Sequence, residues 1–132
     1  MNYDFRKICI NTVENYLSKL DTEKSQGWLI WLIPRRRKIL YLKYGDFLVR
    51  PLIIVGEDDY YIAPSKPVLE YIKHDDSKIV SIVLSVVYDN KHYQIELFKN
   101  SRIVFSPKSI GIENVKKLVN YLHHDPDDFV LI

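Results

Sequence analysis

The chain of 132 residues is poor in the residue types that announce chemistry or anchoring. Its one cysteine, Cys9, excludes a disulfide framework and a thiolate metal cluster and fits a reducing compartment. Its four glycines, at 27, 45, 56 and 111, are scattered, so no glycine-rich phosphate loop can be drawn. No serine sits in a nucleophile elbow. The longest apolar run, "WLIWLI", has six residues, far below the ~20 that a helix needs to cross a bilayer. The opening "MNYDFRKICINTVENYLSKL" is amphipathic and carries acids, unlike a secretory signal. The expectation is a cytoplasmic chain without membrane contact, cofactor or metal. Glutamine is also scarce, which a heat-adapted protein and an AT-rich genome would explain equally.

Charge is nearly balanced at +2 but unevenly spread. Residues 1–50 carry ten Lys/Arg against five Asp/Glu, and residues 51–132 carry nine against twelve. A basic early region hints at a polyanionic partner. The length suits one domain, residues 1–132, with one core.

Phe5, Ile8, Cys9, Thr12, Val13, Tyr16, Leu17 and Leu20 follow the i, i+3, i+4, i+7 rule, which predicts a helix over about 4–21, capped by Asn2 or Asp4. "WLIWLIP" and "KILYLKY" predict two strands around a turn at 34–37. "DFLVRPLIIV" is β-prone, with Pro51 implying a break, bulge or edge position. "DDYYIAP" predicts a short strand. "SKPVLEYIKHDD" predicts a short helix with Val68, Leu69, Tyr71 and Ile72 on one face and Ser65 as cap. Alternation at Val80, Ile82, Leu84, Val86 and Tyr88, then at Tyr93, Ile95 and Leu97, predicts hairpin strands. Ile112, Val115, Leu118, Val119 and Leu122 mark a last helix, and "DFVLI" a last strand or a packed tail. The fold class is α+β: a curved antiparallel sheet with helices packed on one face, in the order α-β(3-4)-α-β(3)-α. "YYIAPSKPVLEYIKHDD" and "IVFSPKSIGIENVKKLVNYLHHDPDD" match element by element, which suggests two βββα-like repeats.

Catalytic constellations are sparse. Cys9 belongs to an apolar helix face and reads as core. "HDD" at 74–76 and "HHDPDD" at 123–128 offer oxygens to a cation but also read as hydrated helix exits. A nuclease-like arrangement would draw on Glu14, Asp89, Glu96 and Lys99. Glu96 and Lys99 are three apart on a strand, hence on opposite faces. An enzyme of this kind is the least favoured reading. The acids Glu57, Asp58 and Asp59 mark a hydrated turn or a partner for the arginines.

The basic segment gives the lead. With residues 31 and 41 paired, Trp31, Tyr41 and Lys43 share one face with Arg35 and Arg37 near the turn. Cations for phosphate beside flat rings for bases is the combination that single-stranded nucleic acid requires. The expected nucleic-acid site is Trp31, Arg35, Arg36, Arg37, Lys38, Tyr41 and Lys43. The competing reading is a core hairpin with a solvated cationic turn.

Over about residues 28–124, with "SVVYDNKHYQIELFKNSRIVFSPKSIGIENVKKLVNYL" the best-fitting part, the element order resembles the Whirly and Pur-repeat single-stranded nucleic-acid binders, from which the leading helix departs. It also resembles small dimeric secretion-chaperone-like domains. The first resemblance implies nucleic-acid binding; the second implies a homo-oligomer binding a protein partner. Both imply a binding protein without catalysis. Affinity for a fluorescent oligonucleotide should then fall with salt, with a slope near −0.7 per phosphate contacted. Changing Arg35, Arg36 and Arg37 together to Ala should abolish binding with the melting temperature little altered. Affinity indifferent to salt would remove this reading.

Overall fold

The computed structural model describes residues 2–26 and 38–132. The expected strand at 28–33 and the cationic turn at 34–37 lie outside the described residues. The described chain forms three helices and seven strands in the order α-β-β-β-α-β-β-β-α-β.

Helix α1 (Phe5–Gln26) starts at Asp4, whose Oδ1 accepts the Lys7 N–H at 3.1 Å. Asp4 is thus the cap, satisfying an amide that has no partner within the helix. The helix runs past the expected end near 21, because "DTEKSQ" contains no glycine or proline before Gly27. Phe5, Ile8, Cys9, Val13 and Leu17 form its buried face.

The strands are β1 (Leu40–Tyr44), β2 (Phe47–Gly56), β3 (Tyr60–Ile62), β4 (Ile79–Tyr88), β5 (Lys91–Phe98), β6 (Ile103–Ser106) and β7 (Asp128–Leu131). The main path is β6-β5-β4-β2-β1-β7, with β3 on β2, and every described pairing is antiparallel. Helices α2 (Lys66–His74) and α3 (Ile112–Tyr121) join α1 on one face of this sheet. There Leu69, Ile72, Val115, Leu118 and Val119 meet Phe47, Val49, Ile82, Leu84, Val86, Ile95 and Leu97. Period-2 alternation in the strands and 3.6 periodicity in the helices are therefore both consumed by one core.

The order repeats βββα, but the wiring does not. In the second unit β4, β5 and β6 form a meander, with β4 and β6 on opposite edges of β5. In the first, β4 takes one edge of β2 along most of its length, so β1 and β3 divide the other. β1 covers residues 47–49 and β3 covers 54–56. Pro51 falls in the gap between them, beside a register shift against β4. The expected bulge is there, where a residue without an N–H is tolerated.

β1 is flanked on both sides, by β2 and by β7. Lys43 lies between Asp128 and Leu48, and Tyr41 lies opposite Val130. The hairpin expected between 28–33 and 39–43, with Trp31 opposite Tyr41 and Leu29 opposite Lys43, has its first strand outside the described residues. "DFVLI" forms this last strand, and its return to β1 is a pairing over nearly ninety residues of sequence that local turn rules cannot foresee.

Two turns carry residues suited to them. Asp89 (φ 52°) and Asn90 (φ 59°) join β4 to β5 in the left-handed conformation that a two-residue type I′ turn requires. Gly45 (φ 59°) joins β1 to β2 with Asp46. A Cβ on Gly45 would lie 2.9 Å from the Tyr121 ring. Gly45→Ala should therefore destabilise by about 1–3 kcal/mol, from left-handed strain plus displacement of that ring. The check is the midpoint of urea unfolding, which should fall with an unchanged slope.

Candidate functional site

Of the expected nucleic-acid residues, Trp31, Arg35, Arg36 and Arg37 lie outside the described residues. Lys38 and Lys43 are exposed, and neither has an ion pair among the described residues. Tyr41 is buried, with 4% of its surface accessible, so its ring offers no open face for stacking. On the sheet face away from the helices Tyr41, Val55, Ser81 and Val83 are buried, whereas His92, Gln94 and Val104 towards the β5–β6 edge are exposed.

The residues considered for catalysis are committed elsewhere. Glu96 accepts a hydrogen bond from Ser81 Oγ at 2.5 Å. Glu14 pairs with Lys73 at 2.5 Å, and Lys99 with Asp76 at 3.5 Å. Asp89 occupies its turn. The "HHDPDD" segment is structural. His123 Nδ1 donates to the Val119 carbonyl, and its Nε2 accepts the Asp4 N–H at 3.1 Å, a tautomer assigned from these partners. Asp125 accepts from Asn15, and Asp127 accepts the Gly45 N–H at 2.7 Å. Among the described residues no three His, Cys, Asp or Glu side chains gather as a metal site would require. No helix among them is long and apolar enough to cross a membrane.

Arg6 has a role that periodicity did not reveal. Its guanidinium donates to the carbonyls of Ile72 and Lys73 at 2.9 and 2.5 Å. These are end carbonyls of α2, short of partners within their own helix, and a cation there also suits the helix dipole. α1 thereby fixes the orientation of α2.

That orientation helps to shape an arrangement with the character of a binding site. α2 has more apolar surface than the core absorbs. Leu69 and Ile72 are buried, whereas Pro67, Val68 and Tyr71 wall a cleft of about 470 Å³. Ile62 and Tyr60 of β3 line it from the sheet side, and Ile79 of β4 from behind. Such a volume falls within the range of small-ligand and side-chain pockets. Tyr60 is 66% exposed and Tyr71 42%, and the adjacent Tyr61 is 63%. Glu57 and Asp58 also line the cleft, at the turn between β2 and β3. Asp58 and Asp59 hold left-handed φ values of 59° and 57°. Glu57, Asp58 and Asp59 have no ion pair among the described residues. The groove between α1 and α2 differs: there Lys66–Asp21 and Lys73–Glu14 compensate one another at 2.6 and 2.5 Å.

The spacing placed Val68 and Tyr71 on one helical face with Leu69 and Ile72, and the three acids read as a hydrated turn or a partner for the arginines; Val68 also packs against the core. The available signal was four apolar residues on a helix of nine, more than one buried stripe accommodates. No family model, curated protein or solved structure matches the chain, so function is argued from these residues alone.

Burial also sets a pH limit. It pushes the Cys9 thiol from its ordinary 9.0 up to about 12 and the Tyr3 phenol from 10.0 up to about 12. Burial raises Tyr44 as well. All three stay protonated in the fold while the unfolded chain ionises, so the unfolded state binds fewer protons at alkaline pH. Stability from these groups is intact below pH 9 and should fall as pH rises from 9 towards 12. Denaturant unfolding across that range should show the loss, with a shallower slope in Cys9→Ala. Folded protein should resist thiol alkylation that unfolded protein undergoes.

Proposed function

We propose that the chain is a binding domain that recognises a segment of another protein at the cleft between β3 and α2. The observation that supports this most is the exposure of Tyr60 and Tyr71 around a concave apolar surface. Tyrosine presents a large rigid area with little conformational entropy to lose, and it dominates many protein recognition surfaces. The fold does not require these rings: Tyr60 and Tyr71 lie outside the set of buried core side chains.

A test is selection of phage-displayed random peptides on the immobilised protein, followed by titration of synthetic copies. Selected peptides should bind at least tenfold more weakly to Tyr60→Ala/Tyr71→Ala, since loss of an aromatic anchor costs about 1–2 kcal/mol or more. The melting temperature should move little. No enrichment, or equal affinity for the double variant, would remove the proposal.

A second reading is single-stranded nucleic acid held by Lys38 and Lys43 with Arg35, Arg36 and Arg37. The exposure of Lys38 and Lys43 favours it. Its rings would come from outside Tyr41, and its test is the salt titration given above.

A further inference from the structure

Resting on the protein-segment reading, we infer that the cleft takes a basic side chain, an ammonium or guanidinium on an aliphatic stem. The walls and the mouth of the cleft call for different parts of one group. Ile62, Val68 and Pro67 offer apolar surface, which suits the methylene stem of lysine or arginine. Tyr60 and Tyr71 offer exposed aromatic rings, whose negative faces attract a cation held over them. Glu57 and Asp58 stand in the lining with Asp59 next in sequence.

Charge decides between occupants. A phosphate or a carboxylate would meet the Glu57 and Asp58 carboxylates, neither of which has an ion pair among the described residues. A neutral apolar side chain would leave those carboxylates unused at its edge. A cation is attracted by both the carboxylates and the rings. The opposing group is Lys78, which also lines the cleft. Two carboxylates in the lining, Glu57 and Asp58, stand against this single ammonium. The acids therefore prevail at the mouth, and Lys78 becomes an internal control: it should weaken binding of the cation.

The experiment follows tyrosine ring resonances of the full chain by NMR, with Tyr60 and Tyr71 assigned from their Phe variants. The probes are the N-acetyl N-methylamide derivatives of lysine, arginine and norleucine. Norleucine keeps the stem and lacks the charge. The lysine and arginine derivatives should shift the Tyr60 and Tyr71 signals saturably, at concentrations about fivefold or more below norleucine. Added salt should narrow that gap. Glu57→Gln/Asp58→Asn should weaken the cationic probes severalfold and leave norleucine unchanged. Lys78→Gln should tighten them, a gain that loss of structure would not produce. Equal binding of lysine and norleucine derivatives, or indifference to both charge variants, would overturn the inference. If selected peptides still depend on Tyr60 and Tyr71 in that case, the protein-segment reading stands without it. Absence of any shift with all three probes overturns the inference as well, and the peptide titration then decides the broader reading separately.

Discussion

The antiparallel pairing of β2 with β4 is the constraint on which the other elements depend. Each strand has ten residues. Together they bring Val49 beside Val86 and Ile54 beside Ile82, on the face that all three helices cover. Alternation is strict enough in β4 that a slip of one residue would exchange Ile82, Leu84 and Val86 for Ser81, Val83 and Ser85. The helices are held by the same face. Ile8, Val13, Ile72 and Leu118 are buried in the same cluster as these strand residues. The bulge near Pro51 lets β2 keep this pairing while its other edge is divided between two short strands.

Local structure was legible to the degree that it depends on local chemistry. α1 was marked by its apolar spacing and Asp4, and α2 by Ser65, whose side chain accepts the Val68 N–H. The β4–β5 hairpin was marked by the alternation of Val80, Ile82, Leu84, Val86 and Tyr88 and then of Tyr93, Ile95 and Leu97. What was not legible is tertiary. Nothing in "DFVLI" specifies β1 as its neighbour, yet β7 takes one edge of β1 and β2 the other. The apparent duplication shows the same limit. Similar propensities produced the same order of elements, while pairing along β2 produced a different strand arrangement in each half of the one sheet. Cap residues and turn residues act over a few positions, whereas a sheet edge is filled by whichever strand completes the core.

The cleft was hidden for a related reason. Val68, Leu69, Tyr71 and Ile72 share a broad helical face, and spacing alone cannot divide it into a buried and an open part. Arg6 helps to decide the division: its bonds to the Ile72 and Lys73 carbonyls, with Asp76 3.8 Å away, fix α2 relative to α1. Leu69 and Ile72 then point to the core, and Pro67, Val68 and Tyr71 line the cleft. A polar residue on the first helix thus shapes an apolar surface on the second. Reading apolar residues as core would have been correct for most of this chain, and it failed where a helix carries more of them than its neighbours cover.

Folding requirements do not account for the composition of that cleft. Three consecutive carboxylates repel one another, and two of them sit in a left-handed backbone conformation that costs a non-glycine residue roughly 1–2 kcal/mol, less for aspartate. Asparagine or glycine would make the same turn without the charge. Exposed tyrosine rings gain little from the fold, and threonine or lysine would serve a short edge strand such as β3 as well. Elsewhere the chain uses its charges economically: Asp76 reaches both Arg6 and Lys99, and Asp127 joins the last loop to the β1–β2 turn. Residues that the fold does not need, placed together where they incur a cost, mark the place where consistency with the fold stops accounting for the sequence.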